Sequence, residues 1–114
     1  MENKKKFELI LCIVNSGYTD LVMEAASKSG ARGGTVVTAR GSGNAEAEKL
    51  YGITITPEKE MVMIVVPQEI KDNVLRAIYE EAGLDTRGQG IAFSLPVDEA
   101  VGLNAGIEAE KYEK

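Results

Sequence analysis

Apolar residues lie in short runs that are separated by polar stretches containing glycine. The run at residues 7–14, FELILCIV, stops at the turn signal Asn15-Ser16-Gly17 and predicts a first strand that is buried on both faces, or nearly so. Residues 19–29 carry apolar side chains at helical spacing and precede Gly30, a residue type that commonly ends a helix. The chain is therefore predicted to begin with a strand and a helix.

Two further strands are predicted on either side of a long polar connection. Residues 35–39 are rich in β-branched side chains, and residues 53–55 and 61–66 are apolar segments broken at Thr56-Pro57. Between them, residues 41–52 have the sequence GSGNAEAEKLYG, which is longer than a tight hairpin requires. Connections of this kind are usually functional or mobile.

The last part of the chain predicts a helix and a strand. Pro67 is expected to end the third strand, and residues 70–78 then place apolar side chains on one helical face, before an Ala-Gly pair that ends the helix. Residues 91–97 predict a fourth strand closed by Pro96. Residues 97–103 are expected to form a short turn of helix.

The predicted order βαββαβ is that of a ferredoxin-like α+β sandwich, an antiparallel sheet with two helices on one face. A chain of 114 residues is long enough for a single domain, spanning 1–114, and too short for two. Because the helices cover one face only, the strands FELILCIV and MVMIVV would expose apolar side chains on the other. The open face therefore predicts homo-oligomerisation.

Composition narrows the class of protein. No run reaches the roughly 20 apolar residues that span a bilayer, so no direct membrane insertion is expected. Near the N-terminus, Glu8 interrupts the apolar stretch and no small-residue cleavage pattern follows, which favours a strand over a signal peptide and a cytoplasmic protein. The net charge of −5 disfavours nucleic acid as a partner.

The sequence offers no catalytic constellation. It contains no histidine, which removes the usual general base and the commonest metal ligand. The lone cysteine, Cys12, lies in an apolar run and is expected to be a core residue in a reducing compartment. Acidic residues near the long connection lack the spacing of a calcium loop, and a solvated loop is expected there. Neither an enzyme activity nor a metal site is predicted.

Three segments of the sequence carry a family resemblance. They are GARGGTVVTARGSG at residues 30–43, EKEMVMIVVP at residues 58–67 and GQGIAFSLPVDEAVGL at residues 88–103. With the spacing of the helices, they resemble the nitrogen-regulatory PII family. The resemblance implies a homotrimer whose long effector loop, the T-loop, spans about residues 41–56 and whose phosphate-binding B-loop spans about residues 84–91. The tail, residues 104–114, is predicted to be flexible.

In that family, glycine-rich turns let backbone amides approach a phosphate, while nearby basic side chains supply charge. The alternative is that the glycines serve only the turns and that the arginines are solvent-exposed. The resemblance implies a ligand-binding set in and beside these turns: Thr35, Arg40, Gly41, Ser42, Gly43, Arg87, Gly88, Gln89 and Gly90.

The sequence departs from the family pattern at positions that normally carry charge. Asn44, Ile91, Gly102 and Asn104 stand where the family has basic residues. Met63 and Gln89 replace acidic residues of the third strand and the B-loop. Because a triphosphate needs charge-assisted partners, ordinary binding of ATP with magnesium is predicted to be lost. An adenine nucleotide with less charge, a nucleoside or a small carboxylate remains a candidate effector.

The T-loop is shorter than is usual in the family. Its partner-binding positions are expected to include Asn44, Glu46, Glu48 and Tyr51. Tyr51 is the only tyrosine there, and an anchoring role for its ring is favoured over covalent modification.

The resemblance implies a protein that senses a small effector at clefts between subunits and controls a partner through the T-loop. The expected partner is a membrane transporter or a metabolic enzyme. The alternative is a trimeric interaction protein that docks constitutively and senses nothing. An enzyme on the same scaffold ranks last, because fold does not fix function and no site supports catalysis.

Overall fold

The computed structural model describes residues 6–41 and 58–103. The described elements, in chain order, are β1 (Phe7–Asn15), α1 (Thr19–Lys28), β2 (Thr35–Arg40), β3 (Glu58–Pro67), α2 (Lys71–Glu81) and β4 (Gly90–Val97), with a 3-10 turn at Gln68–Ile70 before α2. The predicted ligand positions Ser42 and Gly43 lie outside these residues, as does the tail. So do the predicted partner-binding positions Asn44, Glu46, Glu48 and Tyr51.

The strands form one antiparallel sheet in the order β2-β3-β1-β4. At one end of β1, Phe7 pairs with Pro67 of β3 and with Val97 of β4. Both helices pack on one face of this sheet, which confirms the predicted ferredoxin-like order. No helix in the described ranges is long and apolar enough to cross a bilayer.

The prediction that β1 is buried on both faces, or nearly so, does not hold within one protomer. Burial alternates along the strand: Ile10, Cys12 and Val14 are fully buried, whereas their neighbours are only partly covered. The reason is that the side chains of a strand point alternately to the two faces. Because both helices pack on the same side, only every second residue of β1 enters the core.

The core lies between this face and the helices. Val22, Ala25 and Ala26 of α1 and Val74 and Ile78 of α2 are buried against it. Each helix ends at a glycine with positive φ, +108° at Gly30 and +75° at Gly83. Left-handed glycines of this kind commonly end helices.

The C-terminal part of the fold differs from the prediction. β4 begins at Gly90 and continues through Pro96, which pairs with Glu8. Proline is tolerated there because β4 is an edge strand, on which a missing N–H can face away from the sheet. The predicted helical turn at residues 97–103 is not formed, and these residues follow the strand end with bends.

Candidate functional site

Two of the predicted site segments lie at the same end of the sheet, on its two opposite edges. At the last rung of β1, Asn15 pairs with Lys59 of β3, and Lys59 pairs on its other side with Ala39 of β2. The backbone N–H of Asn15 donates to the backbone carbonyl of Gln89 at 3.4 Å. The end of β2 and the turn before β4 are therefore linked through the ends of the two central strands.

Lys59 lies across the end of β2. A Cβ atom placed on Gly41 would come within 3.1 Å of Cε of Lys59, so the lysine stem occupies the space that a side chain there would need. Its Nζ donates a hydrogen bond to Oδ1 of Asn15 at 2.6 Å. Gly41 thus accommodates a partly buried cation, Lys59, beside the site.

The other end of the Asn15 amide reaches the B-loop. Nδ2 of Asn15 donates to the carbonyl of Gly88 at 3.2 Å and to Oε1 of Gln89 at 3.3 Å. Nε2 of Gln89 donates in turn to the carbonyl of Ala82, just beyond α2, at 3.4 Å. A continuous hydrogen-bonded chain therefore runs from the start of β3 to the end of α2.

The glycines of the B-loop serve the fold directly. Gly88 has a φ of +83°, which side-chain-bearing residues rarely adopt. At Gly90 an added Cβ atom would lie 2.5 Å from the carbonyl oxygen of Ile13, closer than such contacts allow. Close packing of β4 on β1 is thus sufficient reason for Gly90, with or without a ligand.

The predicted cations stand at the rim of this region. Arg40 ends β2 and Arg87 lies in the turn before β4, and both are exposed. Thr35 is at the opposite end of β2 from Gly41, five residue steps from Arg40 or roughly 17 Å along a strand. Within one protomer the two glycine segments lie at the same end of the sheet, linked through Lys59 and Asn15, and Thr35 lies apart.

A carboxylate near the site has a structural role. Oε1 of Glu60 accepts hydrogen bonds from the Gly17 amide, at 3.2 Å, and from the Thr19 hydroxyl. These bonds join β3 to the start of α1, where amide groups lack partners within the helix. Across residues 6–41 and 58–103, no group of three or more acidic or cysteine side chains is placed to hold a metal ion.

The thiol of Cys12 takes no part in this region. Cys12 is fully buried, and burial raises the pKa of its thiol to about 11. A thiol that keeps its proton at neutral pH is a poor nucleophile. Its burial confirms the expectation that it is a core residue.

Sequence reasoning missed Asn15 and Lys59. Asn15 was used only as a turn signal, and Lys59 was one lysine in a charged segment. Their contacts depend on the register of β1 with β3, which places residues 44 positions apart side by side. The available signal was weak: Asn15 is the polar residue that ends the first strand, and Lys59 lies in the polar start of the third.

The family described as "Nitrogen regulatory protein P-II" matches residues 7–106. The chain belongs to this family. It is 29% identical over 100 residues to "Nitrogen fixation nifHD1 region GlnB-like protein 1" of Methanosarcina barkeri, covering 87% of this chain and 95% of that protein. It is 31% identical over 115 residues to "Nitrogen regulatory protein P-II homolog" of Arabidopsis thaliana, covering 96% of this chain.

This PII chain spans 59% of the length of that plant homolog. Among solved structures it is similar to Arabidopsis thaliana PII bound to citrate, with a TM-score of 0.64 and 30% sequence identity. That similarity covers 82% of this chain and 79% of the plant chain. The similarity in sequence and in structure confirms the family that the three sequence segments resemble.

Proposed function

We propose that this PII protein binds a small effector beside the joined ends of β2, β3 and β4 and that binding changes its docking to a partner protein. The observation that carries the proposal is the link between the two glycine segments: Lys59 lies against Gly41 and bonds to Asn15, which bonds to Gly88. A ligand placed there would lie beside Lys59, between the segments that carry Arg40 and Arg87. Such a site binds and signals, and we propose no catalytic step for it.

Charge limits the class of effector. Arg40, Lys59 and Arg87 are the cations in or beside the described part of the site, and Glu58 and Glu60 lie beside Lys59 in sequence. This balance suits a ligand with one to three negative charges better than a triphosphate with its metal. The plant neighbour is described as bound to citrate, a small carboxylate. We therefore propose a small carboxylate or a nucleoside monophosphate as the effector and weak binding of ATP.

The open face of the sheet supports an oligomer. Ile13, Leu11 and Leu9 pair in turn with Ile91, Phe93 and Leu95 of β4, and these strand pairs share the face that neither α1 nor α2 covers. A second copy that buries this surface would create clefts between subunits. We propose the homotrimer expected of the family, in which Thr35 can join the site only if a neighbouring copy supplies it.

The partner is proposed to be a regulated protein, either a membrane transporter or a metabolic enzyme, and the location the cytoplasm. The lone buried Cys12 suits a reducing compartment, in which disulfides are rare. Membership of a regulatory family supports the control of another protein over a chemical activity of this chain's own.

Calorimetry and thermal shift with a panel of ligands would test the site. The panel contains citrate, 2-oxoglutarate, bicarbonate, AMP, adenosine and ATP with magnesium, because a ligand that binds the native state raises its Tm. We expect a small carboxylate or AMP to raise Tm, and Arg40→Ala or Arg87→Ala to abolish the shift. Arg76→Ala, which removes an exposed arginine from α2, is the matched control and should leave the shift unchanged.

Two results would contradict this effector class. Micromolar binding of ATP with magnesium would show that the missing basic residues do not matter. A shift that survives both arginine substitutions would place the ligand elsewhere on the protein.

A second candidate function is constitutive docking without sensing. The observation that favours it is the packing of Gly90 on Ile13, which explains one of the turn glycines without any ligand. If no ligand in the panel changes Tm while the protein still captures the same partner with and without added metabolites, constitutive docking is the better account. Capture that depends on one ligand would exclude it.

A further inference from the structure

One side chain contacts both halves of the candidate site. Asn15 accepts from Lys59, which lies against Gly41, and donates to Gly88 and to Gln89. Two backbone hydrogen bonds make the same pair of connections. The backbone N–H of Asn15 donates to the carbonyl of Gln89, at 3.4 Å, and that of Ser16 donates to the carbonyl of Glu58, at 3.3 Å. The end of β1 is therefore bonded on one side to the start of β3 and on the other to the B-loop.

The direction of this hydrogen-bonded chain is fixed by chemistry. The ammonium of Lys59 can only donate, so the oxygen of the Asn15 amide must face it and the nitrogen must face Gly88 and Gln89. At the far end the carbonyl of Ala82 can only accept, so the nitrogen of the Gln89 amide must face it. The side-chain amides of Asn15 and Gln89 thus each accept one hydrogen bond and donate another. All the bonds of the chain therefore point in the same direction, from Lys59 to Ala82.

We propose that Asn15 is a positioning residue that couples the two halves of the site, so that a change at Lys59 alters the turn carrying Gly88 and Gln89. Hydrogen bonds in a chain polarise one another, and the loss of the Lys59 bond weakens those that Asn15 donates. The coupling concerns the site of the proposed function, and it operates in the free protein as well as in the bound one.

Asparagine is the side chain that suits this role. Aspartate at position 15 would still accept from Lys59 but could not donate to Gly88 and would face Oε1 of Gln89 with a second acceptor. Leucine would make neither bond. Asn15→Asp therefore breaks the hydrogen-bonded chain only towards the B-loop, and Asn15→Leu breaks it on both sides. Lys59→Met breaks it only towards β3.

Amide hydrogen exchange by NMR, without ligand, would test the coupling. The reporter is the Gln89 N–H, which donates to the carbonyl of Thr86 at 3.1 Å. Among the described residues, the side-chain hydrogen bond of Lys59 goes to Asn15 and not to the turn at residues 83–90, so an effect of Lys59→Met on this amide must be transmitted. We expect Lys59→Met to speed its exchange about fivefold, the factor that corresponds to one ordinary hydrogen bond.

Lys28→Met is the matched control. Lys28 forms an exposed ion pair with Glu81, 3.7 Å from Nζ to Oε1, between the two helices. Like Lys59→Met, this variant removes a lysine that links two elements of the fold. The Gln89 N–H should nevertheless keep its wild-type exchange rate, because Lys28 is not part of the hydrogen-bonded chain. A global loss of stability would instead speed exchange at the core amides of Ile10 and Ile64 in both variants.

The second variant is Asn15→Asp, which keeps the Lys59 contact and removes the donation to the B-loop. If Asn15 carries the coupling, Lys59→Met has its fivefold effect in the wild-type background and no effect beside Asn15→Asp. Unchanged Gln89 exchange in Lys59→Met, or independent multiplication of the two effects, would overturn the proposal. A failed ligand screen would contradict the proposed function and leave this exchange result intact.

Discussion

The two faces of the central strands are both largely apolar in sequence and differ in what covers them. On one face Ile10 and Ile64 are fully buried under the helices. On the other, Leu11 and Met63 form a rung with Phe93, which is 39% exposed. The alternation of a strand therefore divides one apolar run into a face that the helices cover and a face that the described residues, 6–41 and 58–103, leave open.

The uncovered face is continuous across the sheet. Phe93 and Leu95 are joined on β4 by Ile91, which is 57% exposed, and the facing residues of β1 and β3 are aliphatic or methionine. Large contiguous apolar patches are uncommon on monomers and often mark interfaces. The contrast between the covered face and the open face thus supports the proposed assembly.

The largest effect is expected on the covered face. Ile64→Ala removes a fully buried side chain from the core and should lower the free energy of unfolding by about 2–5 kcal/mol. Denaturant unfolding measures this loss, which should be the same at every protein concentration, because the cavity lies within one protomer.

Met63→Ala, one residue earlier and on the open face, is the paired control. Its cost should grow with protein concentration if a second copy covers the face, since only the assembled protein then buries Met63. A cost for Met63→Ala that is as large as that of Ile64→Ala and independent of concentration would show that the chain covers both faces itself.

The order of elements and the identity of the core strands could be predicted from the sequence, because alternation, glycines and prolines are local signals. The face that the helices cover could not, since after Glu8 the run LILCIV is apolar at even and odd positions alike. Which face is covered depends on the side of the sheet to which the chain turns as it enters each helix. At the site, the glycine segments were predicted from a resemblance, whereas Asn15 and Lys59 depend on strand register, which no local pattern specifies.

The second-largest effect is a pH dependence of the free energy of unfolding, which comes from Cys12 on the covered face. Burial raises the pKa of Cys12 from 9.0 to about 11, so the folded protein keeps a proton that the unfolded chain releases. Stability from this group is fully present below pH 9 and is lost as pH rises towards 11. The loss is on the order of 2–3 kcal/mol at the upper end of this range.

Urea unfolding of the wild type and of Cys12→Ala at matched pH values isolates this contribution from the tyrosines and lysines that titrate in the same range. The difference in free energy of unfolding between the two proteins should narrow above pH 9 if the wild type loses its advantage. A difference that stays constant to pH 11 would mean that the thiol is not shielded in the folded state.

The smallest effect on the stability of a protomer, and the most direct test of the comparison, is expected from Phe93→Glu. A charge on the open face costs little in a protomer whose Phe93 is already 39% exposed, but it cannot be buried against a second copy without a partner. Light scattering should therefore show the wild type as a multiple of the 12.3 kDa chain and Phe93→Glu as the single chain, with similar circular dichroism.

Leu21→Glu places the same charge on α1, at a residue that is 40% exposed, and should leave the assembly intact. If both variants dissociate, the added charge acts through general repulsion and the open face has no special role. If neither does, the subunits meet elsewhere and the apolar face is covered by something other than a second copy. Dissociation by Phe93→Glu alone would mean that the strands bury one face by folding and the other by assembly.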